Sequence, residues 1–421
     1  MPEPGAKAQA DRDRIDLLYR LTSSFNSSLD LEVVLNRVID EIIAATHAER
    51  GFVMLGEPGG EFTFRAARGL DQQTLLDPQS MVSLSVVRKV ITEGRPILTS
   101  NAMDDERFNL LSSIINLGLR SILCVPLTVK DQTFGVVYVD NPQKTGNFKA
   151  GDLELLSAIA SNAAIAIENA RLYRVAVEKG RMERELQITH QMQVGLLPKV
   201  IPQPEGWQFS AYWQPARQVA GDYYDFIPID ADHLCLVIAD VADKGLPASF
   251  FMAVSRTILR TCIRQDNTPC QNISLANHLI CAESTHGYFI TMFFALLDLR
   301  SGALTYVNAG HPPPLLFSQS REVQQLTLTG IPLGIDDTWN YNQGEVTLSP
   351  GSMLFCYTDG VTEAMDVRQE LYGFERLQKV VSAAIANGNE VVVSAIRQSV
   401  AAWAGGTEQS DDITLLLAHR I

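Results

Sequence analysis

The 421-residue chain lacks the features that mark secreted and membrane proteins. No stretch approaches ~18 uninterrupted apolar residues, so we expect no transmembrane helix. The first residues, MPEPGAKAQADRDR, contain no apolar core of the kind that a secretory signal peptide needs. None of the six cysteines forms a C-x-x-C pair, and most of them lie in apolar runs. We therefore expect reduced, buried thiols in a cytoplasmic protein.

Positive charge is also scarce. The chain has 34 Lys and Arg against 48 Asp and Glu, for a formal net charge of -14. This balance argues against binding to nucleic acid or to an anionic membrane, both of which favour basic surfaces. The P-loop, the G-x-S-x-G elbow and the kinase H-R-D motif are absent as well. The acidic balance is compatible with clusters of carboxylates that bind a divalent metal.

The composition is that of a globular protein, and the length predicts two or three domains. Residues 1–14 are small and polar and are predicted to be a disordered tail. Over 15–173 the patterns predict helices, then antiparallel strands, then a long helix, an order that indicates a compact α+β domain. A helical linker is predicted over 174–204, and it ends where Pro198 and two later prolines break the helix. A second domain is predicted over 205–421.

The first domain ends in the run SILCVPLTVKDQTFGVVYVDNPQKTGNFKAGDLELLSAIASNAAIAIENARLY. This run resembles the second half of a GAF domain. The resemblance implies an antiparallel sheet backed by helices, with a pocket that often holds a small ligand. Cyclic-nucleotide-binding GAF domains carry an N-K-…-F-x-x-x-D-E signature, and here Gln143 and Leu153 replace the Asn and the Glu. The ligand is therefore unknown, and a GAF fold used only for dimerisation or protein contact is equally open.

An apolar seam at spacings of three and four runs along the linker. Its members are Leu172, Val175, Met182, Leu186 and Leu196, with charged residues on either side. This pattern predicts a short coiled coil and a parallel homodimer. A solvated linker helix packed on one domain is the alternative.

The second domain is predicted to be an α+β sandwich of two sheets flanked by helices. Helices are predicted over 246–265, 272–284, 374–387 and 389–404. Aspartates stand at four predicted strand ends, each beside glycine or another small residue. These aspartates are Asp222 and Asp225, Asp240, Asp359, and the pair Asp411 and Asp412.

Aspartate at a strand end is common turn chemistry when it occurs alone. Four such sites on one sandwich can bring carboxylates within a few ångströms, which is costly unless a cation neutralises them. Oxygen ligands predict Mg²⁺ or Mn²⁺ rather than zinc, since the seven histidines show no zinc-ligand spacing. A pair of such ions suits phosphoester hydrolysis, because it activates a water and neutralises charge on phosphate oxygens.

The motifs VAGDYYDF, LVIADVADKGLPAS, TMFFALLD, VNAGHPPPLL, YTDGVTEA and SDDITLL follow one another in that order. Over about residues 190–421 the chain resembles the SpoIIE/RsbU-like branch of the bacterial PPM (PP2C-type) phosphatases. The resemblance implies an α-β-β-α sandwich that removes phosphate from serine or threonine. The usual substrates in this branch are small STAS-domain anti-sigma-factor antagonists in partner-switching pathways.

The resemblance also implies roles for individual residues. Asp240 is expected to bridge two metal ions, with the backbone carbonyl of Val241 as a second contact. Asp359 and Asp411 would complete one metal site and Asp222 the other. Asp225 and Asp412 are weaker candidates for the same site.

Two further residues have two interpretations each. Arg217 is either a phosphate-binding arginine or a solvent-exposed loop residue. His311 is either a general acid for the leaving oxygen or a brace for its loop.

The hypothesis is a signal-controlled serine/threonine phosphatase. One rival is a catalytically silent scaffold in the same kind of pathway. Another is a GAF protein whose phosphatase half acts on a small phosphoester. The presence of all four core aspartates favours an enzyme over a scaffold.

Overall fold

The computed structural model describes residues 4–56, 62–69, 71, 73–75, 77–102, 105, 119–142, 144–284 and 287–421. The chain forms two compact units, Met1–Met182 and Glu183–Ile421. The boundary falls within the predicted linker, inside one continuous helix.

The first unit is a five-stranded antiparallel sheet with helices on both faces. The sheet order is β2-β1-β5-β4-β3. The helices are α1 (Pro4–Phe25), α2 (Leu31–Thr46), α3 (Leu84–Glu93) and α4 (Ala150–Leu196). The strands are β1 (Arg50–Leu55), β2 (Thr63–Gly69), β3 (Ile97–Thr99), β4 (Ser121–Val129) and β5 (Gln132–Asn141).

The strands β1, β4 and β5 are buried on both faces over most of their length, which explains their long apolar runs. On β5, Val137 and Val139 pack against the core formed with α1, α2 and α4. Val136 and Tyr138 point to the opposite face and pack with residues of α3. Asp30 fixes the start of α2, because its carboxylate accepts hydrogen bonds from the Glu32 and Val33 amides.

The structure differs from the predicted disordered tail, since α1 already begins at Pro4. Proline is tolerated in a first helical turn, and the alanine-, arginine- and lysine-containing segment that follows has a high helix propensity. The helix is held at its other end by Leu21 and Phe25, which are buried in the core of the unit.

Helix α4 continues out of the first unit and ends two residues before Pro198, as the sequence predicts. Among the described residues it is the one helix long and apolar enough, by length and composition, to cross a membrane. Its residues Leu156, Ile159, Ala163 and Ile167 are fully buried in the first unit. The core helix of a globular domain has the same character.

The second unit contains two five-stranded sheets, ordered β13-β10-β9-β8-β7 and β12-β11-β14-β15-β6. The helices are α5 (Leu246–Cys262), α6 (Pro269–Glu283), α7 (Asp359–Thr362), α8 (Phe374–Ala384) and α9 (Asn389–Ala404). The strands are β6 (Trp207–Gln214), β7 (Tyr223–Pro228), β8 (His233–Val241), β9 (Ile290–Asp298), β10 (Ala303–Ala309), β11 (Leu315–Phe317), β12 (Val323–Gln325), β13 (Gly344–Thr347), β14 (Met353–Tyr357) and β15 (Ile413–Arg420).

The two sheets pack face to face and helices cover their outer faces. On β15, Leu416 and Ala418 face the core that the two sheets share. Leu415 and Leu417 point the other way, into the core formed with α8 and α9. Helices α5 and α6 cover the sheet that contains β8 and β9. The predicted α-β-β-α sandwich is confirmed.

One strand that matters for the site was not predicted from the sequence. Residues 222–225 were expected at a strand end, whereas β7 runs from Tyr223 to Pro228. Residues 223–226 are all buried, so no polar alternation marked the strand. Asp222 therefore precedes the strand, and Asp225 lies within it.

Candidate metal and phosphatase site

Asp240 and Asp222 lie next to each other at one edge of the sandwich. Asp240 is the penultimate residue of β8 and is paired with Thr291 of β9. Asp222 comes just before β7, the strand that neighbours β8. Burial and the charge of Asp240 both raise the pKa of Asp222. Two adjacent strands thus bring the buried carboxyl group of Asp222 and the half-buried carboxyl group of Asp240 near each other.

Asp359 and Asp411 come from the second sheet. Asp359 is the first residue of α7 and lies two residues after the end of β14, and Asp411 precedes β15, which pairs with β14. Each of them raises the pKa of Asp240 by its negative charge. The four carboxylates predicted to form the site are therefore electrostatic neighbours.

Their environment opposes ionisation. Burial and the charges of nearby acids, Asp359 foremost, raise the pKa of Asp240 to about 8. Burial, with Glu363 and Asp411, raises the pKa of Asp359 to about 6. The pKa of Asp222 is held well above its usual range by burial and by Asp240. A cation bound among these groups would relieve this cost.

Two threonines, which the sequence analysis did not identify, hold Asp222. Thr358 Oγ1 and Thr414 Oγ1 donate hydrogen bonds of 2.8 and 2.6 Å to Asp222 Oδ2. The Thr414 amide in turn donates to Thr358 Oγ1. The only signal in the sequence was that each threonine lies within three residues of a predicted metal ligand.

Asp412 braces a loop. Its two carboxylate oxygens accept hydrogen bonds from the amides of Ala216, at 2.8 Å, and Gly221, at 2.7 Å. The loop between β6 and β7 is thereby fixed immediately before Asp222. Close packing also demands glycine at position 360, where a Cβ atom would lie 1.9 Å from the Asp412 carbonyl oxygen.

Asp225 lies apart from this cluster. Its carboxylate is buried on β7 and forms a bidentate pair with Arg260 of α5, at 2.6 and 2.7 Å. Arg256, one turn earlier, lies 3.5 Å away. Asp225 therefore has a structural partner in this chain. The sequence analysis missed these two arginines, although their i, i+4 spacing places them on one helix face.

His311 is buried and is built into the fold. Its Nδ1 lies 3.0 Å from Thr291 Oγ1, and its amide donates to Asn308 Oδ1. Burial lowers the pKa of His311 to about 3, so the ring is neutral at physiological pH. These contacts favour the brace over the general acid. Arg217 lies exposed on the loop between β6 and β7.

Val241 and Lys244 complete the edge that carries Asp240. The Val241 carbonyl oxygen would lie 3.1 Å from a Cβ atom at Gly221, so loop and strand end are in close contact. Lys244, which the sequence analysis did not consider, places its Nζ 2.7 Å from Asp411 Oδ2.

The matching positions of the GAF signature have structural partners. Phe148 is buried in the core of the first unit. Asp152 accepts a hydrogen bond from the Lys149 amide at the start of α4. Lys144 lies 3.9 Å from Glu49, and Gln143 lies outside the described residues.

The donor set at the sandwich edge has the chemistry of a hard divalent cation, because it consists of carboxylate oxygens whose charges repel one another. In the described chain, no three His, Cys, Asp or Glu side chains converge closely enough to enclose an ion. Asp222 Oδ2 is engaged by the two threonines and Asp411 Oδ2 by Lys244. The residues fit the metal by chemical type, while two of them are held by other partners.

The comparisons with known proteins agree with this architecture. The GAF domain family matches residues 30–167, and the SpoIIE family (Stage II sporulation protein E) matches residues 230–421. The solved SiaA-PP2C domain of Pseudomonas aeruginosa is similar in fold, with a TM-score of 0.52 and 21% identity. That likeness covers 58% of this chain and 99% of the solved one. Fold and site together define the class: a GAF domain followed by a PP2C-type serine/threonine phosphatase domain.

Two relatives place the chain more narrowly. Phosphoserine phosphatase RsbU of Bacillus subtilis is 31% identical over 57% of this chain and 71% of its own length. Protein IcfG of Synechocystis is 32% identical over 65% of this chain. The chain spans only about half, 48%, of IcfG. It belongs to the SpoIIE/RsbU-like branch of the PPM phosphatase family.

Proposed function

We propose that this chain is a Mn²⁺- or Mg²⁺-dependent phosphatase of phosphoserine or phosphothreonine proteins, controlled by its GAF domain. The main support is the group formed by Asp222, Asp240, Asp359 and Asp411. These four acids lie near one edge of the sandwich: Asp240 raises the pKa of Asp222, Asp359 and Asp411 raise that of Asp240, and Asp411 raises that of Asp359.

In this proposal Asp240 would contribute to holding both ions, Asp359 and Asp411 would help to hold one of them, and Asp222 would help to hold the other. Bound divalent ions supply an activated water and neutralise the charge that grows on the phosphate oxygens. Thr358 and Thr414 orient Asp222 by their hydrogen bonds. Asp412 holds the loop before it, and His311 braces Thr291 beside Asp240.

The proposed substrate is a small STAS-type antagonist of an anti-sigma factor in a partner-switching pathway. The name of RsbU, a phosphoserine phosphatase, supports phosphoserine as the target. All six cysteines are free, four of them buried, which agrees with the proposed cytoplasmic location. The net charge of -14 gives no support to nucleic acid or membrane as a partner.

The proposed control runs through the end of α4. The Gln193 side chain accepts a hydrogen bond from the Ala220 amide and donates one to the Ala220 carbonyl. His190 stacks on Trp213, whose indole donates to the Asp222 carbonyl. Displacement of this helix end would therefore move the Asp222 loop. A small ligand of the GAF domain, or its protein contacts, would supply the signal.

A parallel homodimer is proposed along the same helix. Leu172, Val175 and Met182 are at least half exposed on α4, which is unusual for three apolar residues at seam spacing.

The test is metal-dependent hydrolysis of p-nitrophenyl phosphate and of a phosphoserine protein by the full chain. Asp240→Asn and Asp359→Asn are expected to lower kcat by about a thousandfold, about 4 kcal/mol in the barrier. Asp266→Asn, at an exposed surface site, is the matched control and should keep wild-type activity. A wild-type protein inactive on both substrates at saturating Mn²⁺ would contradict the proposal and favour a silent scaffold.

A further inference from the structure

Lys244 occupies a tightly specified turn between β8 and α5. Asp243 has a φ of 83°, and its Oδ1 accepts a hydrogen bond of 2.8 Å from the Lys244 amide. Gly245 follows with a φ of 82°, in the region that favours glycine. The turn thus fixes the Lys244 backbone four residues after Asp240.

From this turn the side chain of Lys244 reaches the loop before β15. Its Nζ donates to the Ser410 carbonyl oxygen at 2.8 Å and lies 2.7 Å from Asp411 Oδ2. The other oxygen of Asp411 accepts a hydrogen bond from the Asp412 amide at 2.9 Å. Both oxygens of Asp411 are therefore engaged, one of them by a cation that belongs to the chain.

The surroundings of this ion pair are acidic. The charge of Asp411 raises the pKa of both Asp240 and Asp359, and the charge of Lys244 lowers the pKa of Asp359. The pair is also accessible, since the side chain of Lys244 is 42% exposed and that of Asp411 23%. Partly exposed ion pairs are weak and exchange readily. A divalent ion at the same carboxylate carries twice the charge and would repel the ammonium group.

We propose that Lys244 is a positioning residue that acts as a tethered counter-ion for Asp411. A divalent cation then binds at Asp411 only by displacing the ammonium group, so Lys244 sets the metal concentration that the site requires. The inference rests on the proposed function in one respect, namely that Asp411 is a metal ligand.

The test measures metal binding directly, without turnover. Free Mn²⁺ is followed by electron paramagnetic resonance during titration of the full-length wild type, Lys244→Met and Lys244→Arg. Lys379→Met, at an exposed lysine on α8, is the control for loss of one positive charge. Lys244→Met is expected to bind the more weakly held of the two Mn²⁺ ions about 3- to 10-fold more tightly than the wild type does. Lys244→Arg and Lys379→Met should stay close to the wild type.

Ionic strength provides a second criterion. The difference between the wild type and Lys244→Met should shrink as salt rises, because salt screens a partly exposed charge. Weaker or unchanged Mn²⁺ binding by Lys244→Met would overturn the inference, since the lysine would then support the site or be irrelevant to it.

A second measurement follows the Lys244 side chain of the wild type itself during metal binding. Lysines are reductively methylated with ¹³C-formaldehyde, and the Lys244 resonance is identified by its absence in Lys244→Arg. Saturating Mg²⁺ should shift that resonance, whereas bound Mg²⁺ without a shift would contradict displacement.

Hydrolysis measured in parallel separates the two proposals. If the wild type is inactive but Lys244→Met binds Mn²⁺ more tightly than the wild type, only the proposed phosphatase activity is contradicted. If the wild type is active but Lys244→Met binds Mn²⁺ as the wild type does, only the proposed counter-ion role of Lys244 is contradicted.

Discussion

The two units treat their buried acids in opposite ways. In the first unit Asp140 is fully buried, and Arg50 lies directly opposite on the neighbouring strand, with contacts of 2.8 and 2.7 Å. At the phosphatase edge, Asp222, Asp240 and Asp359 form no ion pair with a lysine or arginine of the described chain. Asp140 is neutralised by a cation of the chain, whereas in the proposed function these three acids would be neutralised by metal ions from solution.

The contrast also holds within the second unit. Asp225 is as deeply buried as Asp222 and lies three residues away, yet two arginines of α5 neutralise it. Burial therefore does not distinguish a structural acid such as Asp225 from a proposed metal ligand such as Asp222. The partner that faces the carboxylate makes the distinction.

The largest expected effect on stability comes from removal of the cation in the first unit. Arg50→Met leaves Asp140 buried without its partner and should lower the free energy of unfolding by about 3 kcal/mol. All four tryptophans lie in the second unit, so their fluorescence reports that unit while circular dichroism reports both. In urea unfolding, Arg50→Met should move the circular dichroism transition to a lower urea concentration and leave the fluorescence transition in place.

Two variants sharpen this test. Arg65→Met removes an exposed arginine from β2 and should leave both transitions unchanged. Asp240→Asn removes an acid that no lysine or arginine pairs with, so it should not lower stability in EDTA. If Asp240→Asn cost as much as Arg50→Met, the two kinds of acid would not differ.

The next effect concerns the contact at the end of α4. Gln193→Leu leaves the buried amide and carbonyl of Ala220 without their side-chain partner, which costs about 1–3 kcal/mol. The unfolding transition followed by tryptophan fluorescence should therefore move to a lower urea concentration. The Mn²⁺ concentration for half-maximal hydrolysis should rise, because Asp222 follows this loop. Gln191→Leu, at an exposed position on the same helix, should change neither quantity.

The last effect is a pH dependence of stability in EDTA. The pKa of Asp240 is raised from 3.8 to about 8 in the folded protein. Between these values the folded chain holds a proton that the unfolded chain has released, so stability falls as pH rises from about 4 to 8. Since one pKa unit corresponds to about 1.4 kcal/mol, the unfolding temperature should drop by roughly ten degrees or more over this range. Asp240→Asn should flatten the slope, and Mn²⁺ at pH 8 should raise the temperature in the wild type only.

A slope that is unchanged in Asp240→Asn would assign the proton to another acid of the cluster. Asp359, whose pKa is raised to about 6, would be examined in the same way with Asp359→Asn.

The amino-acid sequence determined the element types and the positions of the acids. Apolar strands followed by Asp240 and Asp359 predicted carboxylates at strand ends, and the order of the motifs predicted the two domains. Strand β7 escaped prediction because its residues are buried on both faces and Asp225 interrupts the apolar run. The helix over 4–14 escaped because its charged, alanine-containing segment has no apolar face to mark it.

Only the tertiary structure decided which aspartates face one another and which face a cation. Asp222 meets Thr414, 192 residues away, and Lys244 meets the Ser410–Asp411 loop, more than 160 residues away. Asp225 meets Arg260 across a helix–sheet contact. Identical side chains three residues apart acquire different roles because charge interactions depend on distance in space, which the pairing of sheets sets and local sequence does not.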